Sequence, residues 1–187
     1  MNQEKETKQD SRMKEIKDVV RTYIDFPKKG IIFRDLMPVF QQPRLFRNAI
    51  DILAEKVKQA VPDIAAVVGI EARGFILGSP LALALHVAFV PVRKPGKLPG
   101  NVKALEYDLE YGKDKLEVQT DSFPSGAKVV IIDDLLATGG TMRATCDLIK
   151  SLGATVALCM VVMELEGLSG RPSDPFYSMI KFPAFNP

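Results

Sequence analysis

The chain has 187 residues, 47% of them apolar and 26% charged, with a formal net charge of +2. That is the make-up of a soluble globular protein long enough for one domain core, and so slight a positive excess excludes a nucleic-acid binder that works by bulk charge. Two cysteines and a single histidine, His86, form no Cys–X–X–Cys or Cys/His ligand spacing, which excludes a zinc centre and a Cys–His catalytic pair.

From the N-terminus, "MNQEKETKQDSR" has no apolar core. It is no signal peptide, and residues 1–12 are expected to be a disordered tail, with residues 13–187 forming one domain. Ile16, Val19, Val20, Tyr23 and Ile24 make a helical stripe over Met13–Ile24. "DFPKKGIIFRDLMP" then reads as a structured loop around a short apolar run. Pro43–Val61 is helical again, with Leu45, Phe46, Ala49, Ile52, Leu53 and Val57 on one face.

The pattern then alternates. "IAAVVGI" is a buried strand ending near Ile70, Gly74–Leu85 is a helix, and "VAFVPV" is a strand. Gly74–Val92 carries no charge and is long enough to span a membrane. Pro80, His86 and Pro91, and the change from "LALALH" to "VAFVPV", favour a buried helix–strand crossover instead; a cytoplasmic protein is expected. Leu98–Lys115 is long for a connection in a compact domain, which suggests a lid. "AKVVIID" is a strand, Gly140–Leu152 a helix and "ATVALCMVVM" a strand. Cys146 lies in that helical pattern and Cys159 in the last apolar run, so both are expected as buried, reduced thiols. Strands alternating with helices predict an α/β fold, a mainly parallel central sheet flanked by helices. Unbroken apolar runs fit strands covered on both faces.

Ligands of such sheets bind beyond the carboxyl ends of the strands. The segments there are Glu71–Gly74, Arg93–Gly100 and Asp133–Thr141. In "VVIIDDLLATGGTM" (Val129–Met142), Gly139 and Gly140 permit positive φ and close backbone approach. Thr138 and Thr141 add hydroxyls, and the helix start adds unpaired N–H groups, which together suit a phosphate monoester. The same residues also fit a plain glycine turn with Thr141 capping the helix. Asp133 and Asp134 are acceptors only, so they suit a ligand with two adjacent hydroxyls, such as a ribose. They would also favour positive charge developing on the sugar ring. Arg93, Lys94, Lys97 and Lys103 cluster after a strand and suit a concentrated anion such as pyrophosphate, or are simply solvated. A P-loop reading fails, because Phe75 stands where the glycine spacing of Gly69 and Gly74 requires lysine, and no G-x-G-x-x-G dinucleotide fingerprint is present.

The strand, acidic pair and T-G-G-T-like loop of Val129–Met142 resemble the signature of the type I phosphoribosyltransferases. "DFPKKGIIFRDLMPV", "GIEARGFILG", "VRKPGKLPG" and "LEYGKDKLEVQ" extend the likeness over most of residues 26–163 and narrow it to the adenine-specific members. The resemblance implies a core of that family with a hood at about 13–42 and a flexible lid loop at about 95–120. It implies transfer of the phosphoribosyl group of 5-phosphoribosyl-1-pyrophosphate (PRPP) to N9 of adenine, giving AMP and pyrophosphate, in a homodimer. Mg2+ is required, held mainly by PRPP rather than by protein ligands.

By the same resemblance Asp133 and Asp134 hold the ribose, and Ala137, Thr138, Gly139, Gly140 and Thr141 the 5′-phosphate. Glu71, Ala72, Arg73, Arg93, Lys94 and Lys97 face pyrophosphate. Ile32, Phe33, Arg34 and Leu135 surround adenine, Ile32 and Arg34 through their backbone. Glu110 and Tyr111 complete the site from the lid, with Arg73 as a third catalytic group; Glu110 either hydrogen-bonds N7 or moves a proton. Relatives often carry Asp-Ser where this chain has Glu71-Ala72, which removes a hydroxyl, and a cis peptide is expected at Glu71–Ala72. Two rivals remain at this stage: a 6-oxopurine or orotate transferase, and a non-catalytic PRPP-sensing regulator.

Overall fold

The computed structural model describes residues 2–109, 112–168 and 170–184. Helix α1 (Asn2–Val19) leads into a two-stranded antiparallel ribbon of β1 (Arg21–Ile24) and β2 (Ile32–Asp35), then a short helix α2 (Met37–Phe40) and the long α3 (Pro43–Ala60). After these come β3 (Ala66–Ile70), α4 (Arg73–Leu85), β4 (Ala88–Val92), β5 (Val102–Leu109), β6 (Gly112–Gln119), β7 (Lys128–Leu136), α5 (Gly140–Lys150), β8 (Thr155–Glu166) and β9 (Phe176–Pro183).

Five strands form the central sheet in the order β4-β3-β7-β8-β9, every neighbouring pair parallel. The predicted α/β class, with helices flanking a parallel sheet, is therefore observed. β7 shows how one strand serves both faces. Val130 and Ile132 join Ile52, Leu53, Leu77 and Leu81 beneath α3 and α4. Val129 and Ile131 join Leu148 and Ile149 beneath α5. Burial on both sides explains the unbroken apolar runs. Cys146 and Cys159 are buried free thiols with sulfurs 3.4 Å apart, one on α5 and one on β8. No helix among the described residues is long and apolar enough to cross a membrane.

Three expectations are corrected. The stretch expected to be a disordered tail, residues 1–12, is helical from Asn2; its Glu, Lys and Gln residues are good helix formers, and neither Gly nor Pro interrupts them. The helix also ends earlier than the stripe implied, at Val19. Tyr23 and Ile24 instead belong to β1, 46% and 65% exposed, opposite Phe33 and Ile32. "RTYI" is rich in β-formers, and a partner strand overrides a marginal helical period. Lastly, the lid expected as a flexible loop at about 95–120 is largely a hairpin. β5 and β6 pair along their whole length, Val102 opposite Gln119 and Leu109 opposite Gly112. The hairpin has an apolar inner face: Leu116 and Val118 are buried in the core beneath α5.

Candidate active site

α4 starts directly after β3, and its close seat on β7 needs glycine. A methyl group on Gly74 would lie 2.7 Å from the Ile132 carbonyl oxygen. This brings Glu71, Ala72 and Arg73 beside Asp133 and Asp134. The Glu71–Ala72 peptide is cis, as expected from the sequence. Arg73 Nε donates to Asp134 Oδ2 at 2.5 Å, and its guanidinium lies 6.0 Å from the Phe33 ring centroid. The β1–β2 ribbon thus meets the start of α4 at Arg73, and Phe26 supports Phe33 edge-on at 5.1 Å. Ile32 is half-buried beside it. The Arg34 side chain turns elsewhere: it donates to Thr22 Oγ1 at 2.5 Å and stacks on Phe182.

Glu71 organises the loop after β4. It accepts Arg93 Nη2 at 2.9 Å, Lys97 Nζ at 3.0 Å and the Lys94 backbone N–H at 3.0 Å. The Arg93 hydrogen bonds, helped by Lys97, hold the Glu71 carboxyl down at about 2. This carboxylate is ionised throughout the physiological range and keeps three cationic residues in one place. The basic cluster read from the sequence is therefore largely gathered, although Glu71 itself neutralises part of it. The Lys94 ammonium pairs instead with Asp114 on β6.

Asp133 and Asp134 sit within β7, which continues to Leu136. Asp134 is 4% exposed and is neutralised by Arg73. Burial, followed by the neighbouring Asp134 carboxylate, holds the Asp133 carboxyl well above the usual carboxylate range. Beyond them the chain turns through Ala137 and Thr138 into α5. Gly139 occupies the N-cap position at φ +73°, a conformation that favours glycine. The turn ends at Thr141, whose hydroxyl lies 3.3 Å from Tyr107 Oη on β5.

Two cavities result. One of about 270 Å³ is lined by Glu71, Ala72, Arg73, Lys94, Asp133, Asp134 and Thr141, among others. The second, of about 130 Å³, is lined by Asp133, Leu135, and every residue from Ala137 to Thr141. Asp133 and Thr141 border both, so the chamber that holds the cations Arg73 and Lys94 among its charged lining and the one walled by the turn meet at Asp133. Glu110 and Tyr111 lie outside the described residues.

Sequence reasoning missed Tyr107 and Asp114. They are cross-strand neighbours in the hairpin, and Tyr107 Oη donates to Asp114 Oδ2 at 3.2 Å. Against the desolvation of burial, the Lys94 ammonium holds the Asp114 carboxyl below its ordinary value. The signal was present as alternation in "VKALEYDL" and "GKDKLEVQ", which marks a hairpin once read with period two.

The carboxyl end of a parallel sheet, where ligands of such α/β folds bind, thus carries a glycine turn at a helix start, an acidic pair and a group of cations. Residues 38–186 match the phosphoribosyl transferase domain model. The chain is 50% identical over 171 residues to the adenine phosphoribosyltransferase of a Synechococcus species, covering 90% of this chain and 99% of that one. Its fold superposes with a TM-score of 0.88 on the Saccharomyces cerevisiae enzyme complexed with an imino-altritol bisphosphate and adenine, at 42% identity, covering 91% and 99% of the two chains. The Trypanosoma brucei enzyme in complex with AMP, pyrophosphate and ribose-5-phosphate gives a TM-score of 0.79 at 28% identity, covering 91% and 79%. The chain belongs to the adenine phosphoribosyltransferase family.

Proposed function

We propose that this protein salvages adenine by transferring the phosphoribosyl group of PRPP to N9, releasing pyrophosphate and forming AMP. The observation that carries the reading is the convergence of Asp133, Asp134, Arg73 and Thr141 on one cavity that continues into the Ala137–Thr141 turn. The ligands of the yeast and trypanosomal relatives, a bisphosphate with adenine, and AMP with pyrophosphate and ribose-5-phosphate, are of the size and charge these two chambers suit.

In this reading the 5′-phosphate lies at Ala137–Thr141, held by backbone N–H groups and the α5 N-terminus. The ribose hydroxyls donate to Asp133 and Asp134 and displace Arg73 from Asp134. Arg73 is then released towards pyrophosphate, beside Lys94 and the Glu71–Ala72 backbone, with Arg93 and Lys97 contributing positive charge from outside the cavity. Adenine enters between Leu135 and the Ile32–Arg34 strand, with Phe33 against its ring. The C1′–oxygen bond to pyrophosphate breaks as N9 approaches, and the acidic pair stabilises the cation-like sugar between them. By the resemblance Glu110 and Tyr111, outside the described residues, are assigned to the base, Glu110 either hydrogen-bonding N7 or taking the proton that adenine releases as N9 bonds C1′, and closure of the β5–β6 hairpin would exclude water.

Among the described residues no three His, Cys, Asp or Glu side chains gather as a metal cage. Mg2+ prefers one or two carboxylates plus substrate phosphates, so the site fits an ion that arrives on PRPP and is steadied by Asp133 and Asp134. When bound, such an ion would neutralise charge on the departing pyrophosphate.

A homodimer is proposed from a separate surface. An apolar groove of about 530 Å³ between α3 and α4 is lined by Phe46, Ile50, Pro80 and Leu83, and Leu83 is 77% exposed. Sedimentation of the purified protein tests this. A PRPP-dependent assay across adenine, hypoxanthine, guanine and orotate, with and without Mg2+, tests the activity. AMP formation from adenine alone is expected. Turnover of hypoxanthine or orotate in place of adenine, or PRPP binding without AMP formation, contradicts it. Location in the cytoplasm belongs to the same proposal, and fractionation of the source cells checks it.

A further inference from the structure

Two parallel neighbouring strands must be joined by a chain that runs back along them. β8 and β9 are such a pair, with Cys159 opposite Phe176 and Glu166 opposite Pro183. Among the described residues between them there is no helix. The return strap covers the seven residue steps from Glu166 to the level of Cys159, about 23 Å at roughly 3.3 Å per residue.

The strap is tied along α5 at two points. Arg143 Nη1 in the first turn of α5 donates to the Gly170 carbonyl oxygen at 3.2 Å. Lys150 in the last turn pairs with Asp174 at 2.7 Å. A third tie runs to β8: Arg171 Nε and Nη2 donate to the two oxygens of Glu164 at 2.6 and 2.9 Å, and Ser178 Oγ donates to the same carboxylate at 2.6 Å. Glu164 is only 6% exposed. Burying a carboxylate without a partner is costly, so this pair constrains where the strap can sit.

That position lies against the cradle. A methyl group on Gly139 would stand 2.5 Å from the Gly170 carbonyl carbon, and one on Gly170 would stand 2.7 Å from the carbonyl carbon of Thr138 and 2.9 Å from the nitrogen of Gly139. Backbone therefore meets backbone, with no side chain between. The turn cannot move towards the strap without displacing it.

We infer that the strap carrying Gly170, Arg171 and Asp174 is a positioning element of the phosphate cradle: the Glu164–Arg171 pair and Arg143 seat Gly170 behind Ala137–Gly139 and so fix the direction of the cradle's amides. Neither Glu164 nor Arg171 touches the ligand; both act through Gly170. The inference rests on the assignment of the 5′-phosphate to Ala137–Thr141.

Calorimetry on the full chain tests it, with ribose 5-phosphate and Mg2+-pyrophosphate titrated separately into wild type, Arg171→Met, Arg143→Met and Thr141→Ala. Arg171→Met and Arg143→Met are expected to weaken ribose 5-phosphate by about ten-fold, the scale of a small misplacement of binding groups. Pyrophosphate affinity and the KM for adenine should be unchanged, and the KM for PRPP should rise. A merely structural role would move both ligands alike. Equal weakening of the two, or unchanged ribose 5-phosphate affinity in both arginine variants while Thr141→Ala loses it, overturns the inference. Arg143 is exposed, so its variant carries the test if Arg171→Met does not fold. If Thr141→Ala also leaves ribose 5-phosphate binding intact, the cradle assignment fails and the strap's role with it.

Discussion

The two ends of the site are built by different means. The Ala137–Thr141 turn is backbone: Gly139 at φ +73° is locked against the backbone of Gly170, with no side chain between them. The basic chamber at the other end is made of flexible groups that hold one another: Arg73 on Asp134, Arg93 and Lys97 on Glu71, Lys94 on Asp114. The contrast teaches that, on the proposed assignment, the first end acts by fixed geometry, whereas the second exchanges internal partners for the ligand's oxygens. Changes at the first should be severe and indifferent to salt. Changes at the second should be milder, graded and sensitive to ionic strength.

The largest effect is expected at Gly139→Ala. Left-handed backbone costs roughly 1–2 kcal/mol, and overpacking against Gly170 costs about 1–3 kcal/mol more. Urea denaturation should show a loss of several kcal/mol; a loss within error would mean that the turn is not rigid. Next comes the acidic pair. Asp134→Asn should lower kcat/KM by about ten- to a thousand-fold, roughly 1.4–4 kcal/mol of transition-state stabilisation. Asp133→Asn should do likewise while raising the denaturation midpoint at neutral pH. The reason is its raised folded pKa: as pH climbs above the unfolded value of about 3.9, the unfolded chain gives up this proton before the native one does, so the native state loses stability. The amide removes that penalty. A less stable Asp133→Asn would contradict the assignment of burial as the cause.

How far these features could be read in advance divides along the same line. β3, β4, β7 and β8 were legible because burial on both faces leaves uninterrupted apolar runs. Asp133, Asp134 and the ATGGT turn were legible because their chemistry is contiguous in the chain. β9 was not, since "FYSMIKFP" at a sheet edge mixes polar residues into the run and follows the loop-like "RPSDP". Gly170 was equally hidden. Its importance comes from contact with Gly139, far away in sequence, and a lone glycine carries no sign of what it packs against. Arg73 lines a cavity with the acidic pair, but its pairing with Asp134 depends on how α4 docks against β7. β1 was misread because four residues of "RTYI" satisfy a helical stripe and a strand equally well.

A smaller effect is expected at Glu71. Its carboxyl is held at about 2 by Arg93, below its unfolded value, so the stabilisation is complete above about pH 4.5 and fades as pH falls towards 2. Glu71→Gln should therefore be less stable than wild type at pH 6, with the gap closing under acid. A gap at pH 2.5 as large as that at pH 6 would deny the ion pair its role. The smallest change is expected from Lys97→Ala: a KM for PRPP raised a few-fold, more at low salt than at high, with stability altered by less than about 1 kcal/mol. Steady-state kinetics at two ionic strengths would check it.

The most direct measurement is a crystal structure with AMP and pyrophosphate bound. The 5′-phosphate should lie within hydrogen-bonding distance of the Ala137–Thr141 amides, with the ribose hydroxyls on Asp133 and Asp134 and Arg73 withdrawn from Asp134. AMP seated elsewhere, with the Arg73–Asp134 pair intact, would contradict the exchange on which the account turns.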